Sequence, residues 1–223
     1  MVDLIKRHTQ MEISEVVDLT KVQPNHIYVI PPNKDMAIFK GVLHLMDPTQ
    51  ARGFRKPIDY FFRSLAEDQM EKAVGIVLSG TGTEGTLGLK NIKSLGGLAV
   101  VQDPQSAKYD GMPRSAIAAH AYDFILPVKD IPEKLLQYAK NRKFNTDKKI
   151  TNIDSARELL EKVFILLRSE TGCNFGDYKS STVIRRIDKR MALNQIDKLE
   201  NYVKYLQKER DEVLKLFNEL LIG

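Results

Sequence analysis

The sequence predicts an α/β domain built on a doubly wound, mainly parallel sheet with a β-hairpin, followed by a small all-α domain. Three observations carry this. Short apolar runs at 74–78, 98–101 and 124–126 alternate with stretches of helical spacing, the grammar of strand–helix–strand units. Residues 141–151, NRKFNTDKKIT, are polar and charged and read as a linker. From residue 152 onward the strand pattern vanishes and only helical periodicity is left. The implied organisation is an α/β domain over 1–140, the linker, and a helical domain over 152–223.

In chain order, residues 12–47 alternate apolar and polar side chains, as strands do. Ile27–Ile30 is stopped by Pro31 and Pro32. Met36–Phe39 and Val42–Leu45 flank Lys40-Gly41, a hairpin signature. Pro57 suits the first turn of a helix, and Ile58 to Leu65 continue at helical spacing. A strand at 74–78, a helix near 84–95 stopped by Gly96-Gly97, and a strand at 98–101 follow. Pro113 opens a further helix, and another runs from about 131 to 140. Helices are expected at 153–169, 177–193, 196–207 and 209–221.

With 43% hydrophobic and 28% charged residues the chain has the composition of a folded, soluble protein. A net charge of +5 over 223 residues is too mild to imply nucleic acid. Cys173 is the single cysteine, so no intrachain disulfide forms and a reducing, cytoplasmic compartment is expected. His8, His26, His44 and His120 lack metal-ligand spacing, which predicts no metal site. No apolar run approaches the length of a membrane span, and no export signal is visible.

The strand at 74–78 meets Gly80, Gly82 and Gly85 in G-x-G-x-x-G spacing, with Asp103 after the next apolar run. That is the spacing of a dinucleotide loop. Glu84, however, sits inside the turn at the helix start, where its charge would repel a pyrophosphate. A structural reading has Glu84 capping its own helix while the glycines permit the turn.

A third reading comes from several separated stretches. VLSGTGTEGTLGLKNIKSLGG, VVQDPQSAKYDGMPRSAI and DFILPVKDIPEKL, with RHTQM and VQPNHIYVIPPN upstream, resemble the chemotaxis protein-glutamate methylesterases, the CheB type. The stretch FILLRSETGCNFGDYKSSTVIRRIDKRMALNQIDKLENYVKYL resembles the N-terminal helical domain of the chemoreceptor methyltransferases, the CheR type. Esterase before transferase is the order of the fused CheB–CheR-type proteins.

The resemblance implies a serine, a histidine and an acid that hydrolyse methyl esters of receptor glutamates. Glu84 takes the place of the triad aspartate in the family's G-x-G-x-D-G loop. The family's serine and histidine belong to segments upstream of RHTQM, so the α/β sheet is expected to be incomplete and this polypeptide inactive by itself. His8 is not expected to replace the base, nor Ser115 the nucleophile. Thr81, Gly82, Met112 and Arg114 are expected to line the active-site loop. An incomplete sheet further implies self-association or pairing with the complementary upstream fragment.

In the helical half, Val183, Ile184, Ile187 and Met191 form an apolar stripe. Lys179, Arg185, Arg186, Lys189 and Arg190 fall largely outside it. The resemblance implies that these cations face the acidic methylation helices in the cytoplasmic part of chemoreceptors. A solvated face with no partner is the plainer reading of the same charges. The transferase's S-adenosylmethionine domain would lie beyond NELLIG, residues 218–223, so no cofactor is expected in this chain. The alternative function is a non-catalytic docking module for acidic receptor helices.

Overall fold

The structure is a computed structural model that describes residues 1–51, 53–147, 153–175 and 178–221. It divides into two compact units, Met1–Val128 and Lys129–Gly223.

The first unit opens with a short helix, α1 (Val2–Lys6), that the sequence pattern did not suggest. Strand β1 (Glu12–Glu15) pairs parallel with β3 (His26–Val29). Between them β2 (Thr20–Lys21) joins a separate antiparallel sheet of order β2-β5-β4, with β4 at Asp35–Phe39 and β5 at Val42–Met46. The β4–β5 hairpin turns at Lys40 and Gly41, both at positive φ (50° and 73°), the backbone a two-residue primed turn demands. Helix α2 (Pro57–Gln69) starts on its proline, as expected. The third sheet is parallel, of order β6-β7-β8: β6 is Val74–Val77, β7 Leu98–Gln102 and β8 Phe124–Leu126. Helix α3 (Thr86–Ser94) connects the first two strands and α4 (Gly111–Ala118) precedes the third.

All five residues of β7 are buried, as a parallel strand covered on both faces requires. Val77, Leu89, Ala99, Val101 and Ala116 form one core, and Val16, Met36, Ile38 and Leu43 another under the hairpin. The fold is thus the expected mixture of mainly parallel strands and helices, distributed over three small sheets.

The second unit is helical: α5 (Ile131–Asp147), α6 (Ile153–Thr171), α7 (Ser180–Leu193), α8 (Leu199–Lys208) and α9 (Arg210–Leu221). Helix α5 does not stop near 140. It continues through Asp147, so most of the stretch read as a linker is helical, while 148–151 lie outside the described residues. Its side of the division follows from packing: α5 lies against α7, with Asn141 Nδ2 donating to the Ala192 carbonyl at 3.5 Å. The stripe Val183, Ile187 and Met191 is buried, against Leu167, Phe175, Tyr202, Val213 and Leu216.

Candidate active site

The parallel strands β6 and β7 end side by side, and the loops after them are stitched together by backbone and side-chain hydrogen bonds. Ser79 N–H donates to Gln102 Oε1 at 2.8 Å, and Gln102 Nε2 donates to the Ser106 carbonyl at 3.0 Å. Gly80 N–H donates to the Tyr109 carbonyl and Met112 N–H to the Gly80 carbonyl, each at 2.9 Å. Tyr109 N–H donates to Ser79 Oγ, also at 2.9 Å. A Cβ on Gly111 would stand 3.0 Å from Gly82 N, so the two loops can close this tightly only with glycine there.

Within the loop after β6 the chain turns through Gly82 and Gly85, both at φ 84°, the left-handed region that disfavours any residue with a Cβ. Glu84 stands between them, half-buried. Its Oε1 accepts a hydrogen bond of 2.6 Å from Ile58 N–H, in the first turn of α2. The cap therefore goes to the neighbouring helix, whereas the structural reading from sequence assigned it to α3. Asp59 answers in the other direction: its Oδ1 accepts from Gly88 N–H, in the first turn of α3, at 2.7 Å. The two helices cap each other reciprocally, and each carboxylate lies at a positive helix end. Burial raises the Glu84 carboxyl above its ordinary 4.5; the Ile58 bond pulls it down and the Asp59 charge pushes it up. A proton on Glu84 is thus held more tightly than on a free glutamate.

Thr81, Gly82 and Met112 are brought to this loop cluster, with the Met112 sulfur against Gly80 and its Cε 3.9 Å from where a Cβ on Gly85 would lie. Arg114 is exposed, and its Nε donates to Asp110 Oδ2 at 2.5 Å, one helical turn back. Ser115 Oγ accepts from Thr86 Oγ1 at 2.9 Å and meets no histidine. Among the described residues no three His, Cys, Asp or Glu side chains cluster as metal ligands, and no helix is long and apolar enough to cross a membrane.

The basic helix α7 departs from its sequence reading. Lys179 and Arg185 are exposed, but Arg186 and Lys189 are buried, and Arg190 is largely so. The cause is α9, which turns Glu212 and Glu219, two turns apart, toward them. Glu219 Oε2 lies 3.5 Å from Arg186 and 3.6 Å from Lys189. Glu212 takes Arg190 Nε at 2.8 Å, Asn194 Nδ2 at 2.9 Å and the Tyr202 hydroxyl at 2.9 Å. Burial pulls the Arg190 guanidinium down, yet the hydrogen bonds and charge of Glu212 outweigh it, and the group ends above the usual arginine range. Three of the five cations therefore hold two helices together and are not a free surface.

Comparison with known proteins gives this geometry its family. The family model for CheB methylesterase matches residues 1–135, and that for the CheR methyltransferase all-alpha domain matches 158–221. A putative protein-glutamate methylesterase/protein-glutamine glutaminase of Leptospira interrogans is 34% identical over 139 residues, covering 62% of this chain and 72% of that protein. An uncharacterized 104.1 kDa protein from the hypE 3′ region of Rhodobacter capsulatus is 34% identical over 244 residues. That match covers all of this chain but only 25% of the relative, so the chain spans a quarter of its length. The crystal structure of the Thermotoga maritima CheB methylesterase catalytic domain superposes with a TM-score of 0.56 at 26% identity, over 61% of this chain and 74% of that one. The chain belongs to the CheB methylesterase family and carries, after that domain, the all-alpha domain of the CheR methyltransferases.

Proposed function

We propose that this chain is part of a cytoplasmic chemoreceptor-modification protein, and that Glu84 is the acid of a Ser–His–acid hydrolysis of glutamyl methyl esters. The observation that supports it is the setting of Glu84. Its carboxylate stands at the carboxyl end of a parallel strand, in the family's glycine loop, with Oε1 held by a backbone amide. Oε2 is then the acceptor left to hold an imidazole N–H, and one oxygen per task lets the cap and the orienting role coexist. The serine attacks the ester carbonyl, its proton passes to the imidazole, and methanol leaves with that proton; water then repeats the sequence on the acyl-enzyme. Serine and imidazole come from residues outside these 223, in the same or another polypeptide. Thr81, Gly82 and Met112 wall the loop beside Glu84. No cofactor takes part in this step, and S-adenosylmethionine belongs to a methyltransferase domain beyond this chain.

The helical unit favours a second, non-catalytic component, docking on acidic receptor helices. With Arg186, Lys189 and Arg190 committed to Glu219 and Glu212, that surface is narrower than the sequence suggested and rests on Lys179 and Arg185.

Methanol release from methylated receptor, measured with and without the upstream family segment added, tests the esterase reading. Release is expected only with that segment, and Glu84→Gln should lower it about 10²–10⁴-fold, the range for disturbing a triad member. Release that Glu84→Gln leaves intact removes Glu84 from the chemistry. Receptor binding that survives Lys179→Glu with Arg185→Glu removes the docking surface.

A further inference from the structure

Asp59 carries a charge that its place in the fold does not need. It is 5% exposed, in the first turn of α2, and its Oδ1 caps α3 by accepting from Gly88 N–H at 2.7 Å. Oδ2 is shut off from solvent and has no hydrogen-bond partner, and no ion pair reaches the carboxylate among the described residues. Burying a charged oxygen without a partner is costly, and asparagine at 59 would offer the same Oδ1 to Gly88 N–H without the charge. The cap accounts for an oxygen here. The positive end of α3 offsets part of the charge, and the rest calls for another cause.

The group that feels this charge is Glu84. Ile58, whose N–H holds Glu84 Oε1 at 2.6 Å, is the residue before Asp59, and Gly88, which Asp59 holds, lies four residues beyond Glu84. The two bonds interlock, so neither carboxylate can turn away without breaking a helix cap. After burial and the Ile58 bond, Asp59 is the foremost influence on Glu84 and raises its proton affinity. Lys56, at the N-cap of α2, opposes it, and Asp35, the first residue of β4, adds to it.

We infer that Asp59 is a positioning residue for the proposed hydrolysis, a role that rests on the Glu84 reading: its carboxylate pins the Glu84 loop to α2 and adds negative potential behind the acid where the imidazolium forms. As the serine proton moves to the imidazole, positive charge appears beside Glu84. A second carboxylate, excluded from water and fixed by its own cap, favours that charge more in the transition state than in the ground state. The same like charge weakens the resting fold, so stability and activity trade against each other at residue 59.

Asp59→Asn keeps the cap oxygen and removes the charge. In the 223-residue chain it should raise the thermal midpoint by about 2–4 °C. With the upstream family segment added, methanol release from methylated receptor should fall about 3–10-fold at its plateau. The acid limb of release should move about 0.5–1 pH unit lower, because a negative charge raises the proton affinity of the imidazole and its loss lowers it. Lys56→Gln, at an exposed position, should move the limb the other way and by less. A lower midpoint with an unmoved limb, the pattern of a cap with no part in the reaction, overturns the assignment, as does an Asp59→Asn chain that fails to fold. Release lowered by Glu84→Gln but unchanged in rate and limb by Asp59→Asn removes Asp59 alone. Release that Glu84→Gln leaves intact removes the Glu84 reading instead.

Discussion

Two glutamates, one in each unit, show how differently a carboxylate can be held. Glu212 is buried and saturated: Arg190, Asn194 and Tyr202 all donate to it, and its charge is cancelled by a guanidinium. Glu84 is half-buried and has a single backbone donor, with the like charge of Asp59 nearby. The first arrangement commits both carboxylate oxygens to joining α7, α8 and α9. The second leaves an acceptor oxygen on a loop, the feature that the proposed orienting role uses. The contrast separates structural charge from chemically available charge by what surrounds it, a distinction that residue type alone does not make.

The largest expected effect breaks the saturated side. Glu212→Leu removes the partner of a guanidinium that stays buried, and stranding one member of such a pair costs about 3–5 kcal/mol. Urea denaturation of the chain should show this as a lower midpoint, with the helical unit unfolding first. A loss below about 1 kcal/mol would mean that Arg190 escapes to water and that the network is not holding the helices.

The α2–α3 contact sharpens the other side. A Cβ on Gly88 would lie 2.5 Å from Phe62 Cβ and 3.1 Å from the Asp59 Cα, both fixed parts of α2. Gly88→Ala must push the helices apart and is expected to cost about 1–3 kcal/mol, as overpacking does. Gly80→Ala meets only the end of the Met112 side chain, which can swing away, so its thermal shift should be smaller. If the two variants melt alike, the close approach of α2 and α3 does not set the position of the Glu84 loop.

Much of this was legible in the sequence because it depends on local rules. Pro57 at a helix start, Lys40-Gly41 in a turn, the apolar runs of β6, β7 and β8, and the glycine loop around Glu84 all follow from backbone preference and periodicity. What escaped depends on contacts between distant segments. The basic face of α7 looked free since nothing local says that Glu212 and Glu219, seven apart on α9, turn toward it. The cap on Ile58 escaped for the same reason, 26 residues separating donor and acceptor. Glu12 and Ser14 could be placed on one face by alternation, but the register that brings His26 between them is set by a parallel pairing that no turn specifies. The extension of α5 to Asp147 escaped differently: charged residues are good helix formers, so a polar stretch that reads as linker can continue the helix.

The finest prediction concerns the pair of reciprocal caps. Because burial and Asp59 raise the Glu84 carboxyl above 4.5, the folded chain binds that proton more tightly than the unfolded one. This group's contribution to stability is therefore most favourable below the ordinary value. It declines as pH rises from 4.5 through the elevated value, and is level above it. Asp59→Asn keeps an oxygen for Gly88 N–H and removes the like charge, so the Glu84 titration, followed by carboxyl-carbon NMR, should move down toward 4.5. Burial is the larger cause, so the shift should be partial. Asp59→Ala should lower the titration too and also lose the cap on α3, at about 0.5–2 kcal/mol. Glu84→Gln keeps an acceptor for Ile58 N–H and should flatten the decline of stability just above pH 4.5. If Asp59→Asn leaves the Glu84 titration where it was, the two caps are electrostatically independent. The availability of Glu84 would then come from its burial alone, and the reciprocal arrangement of α2 and α3 would be a matter of helix ends only.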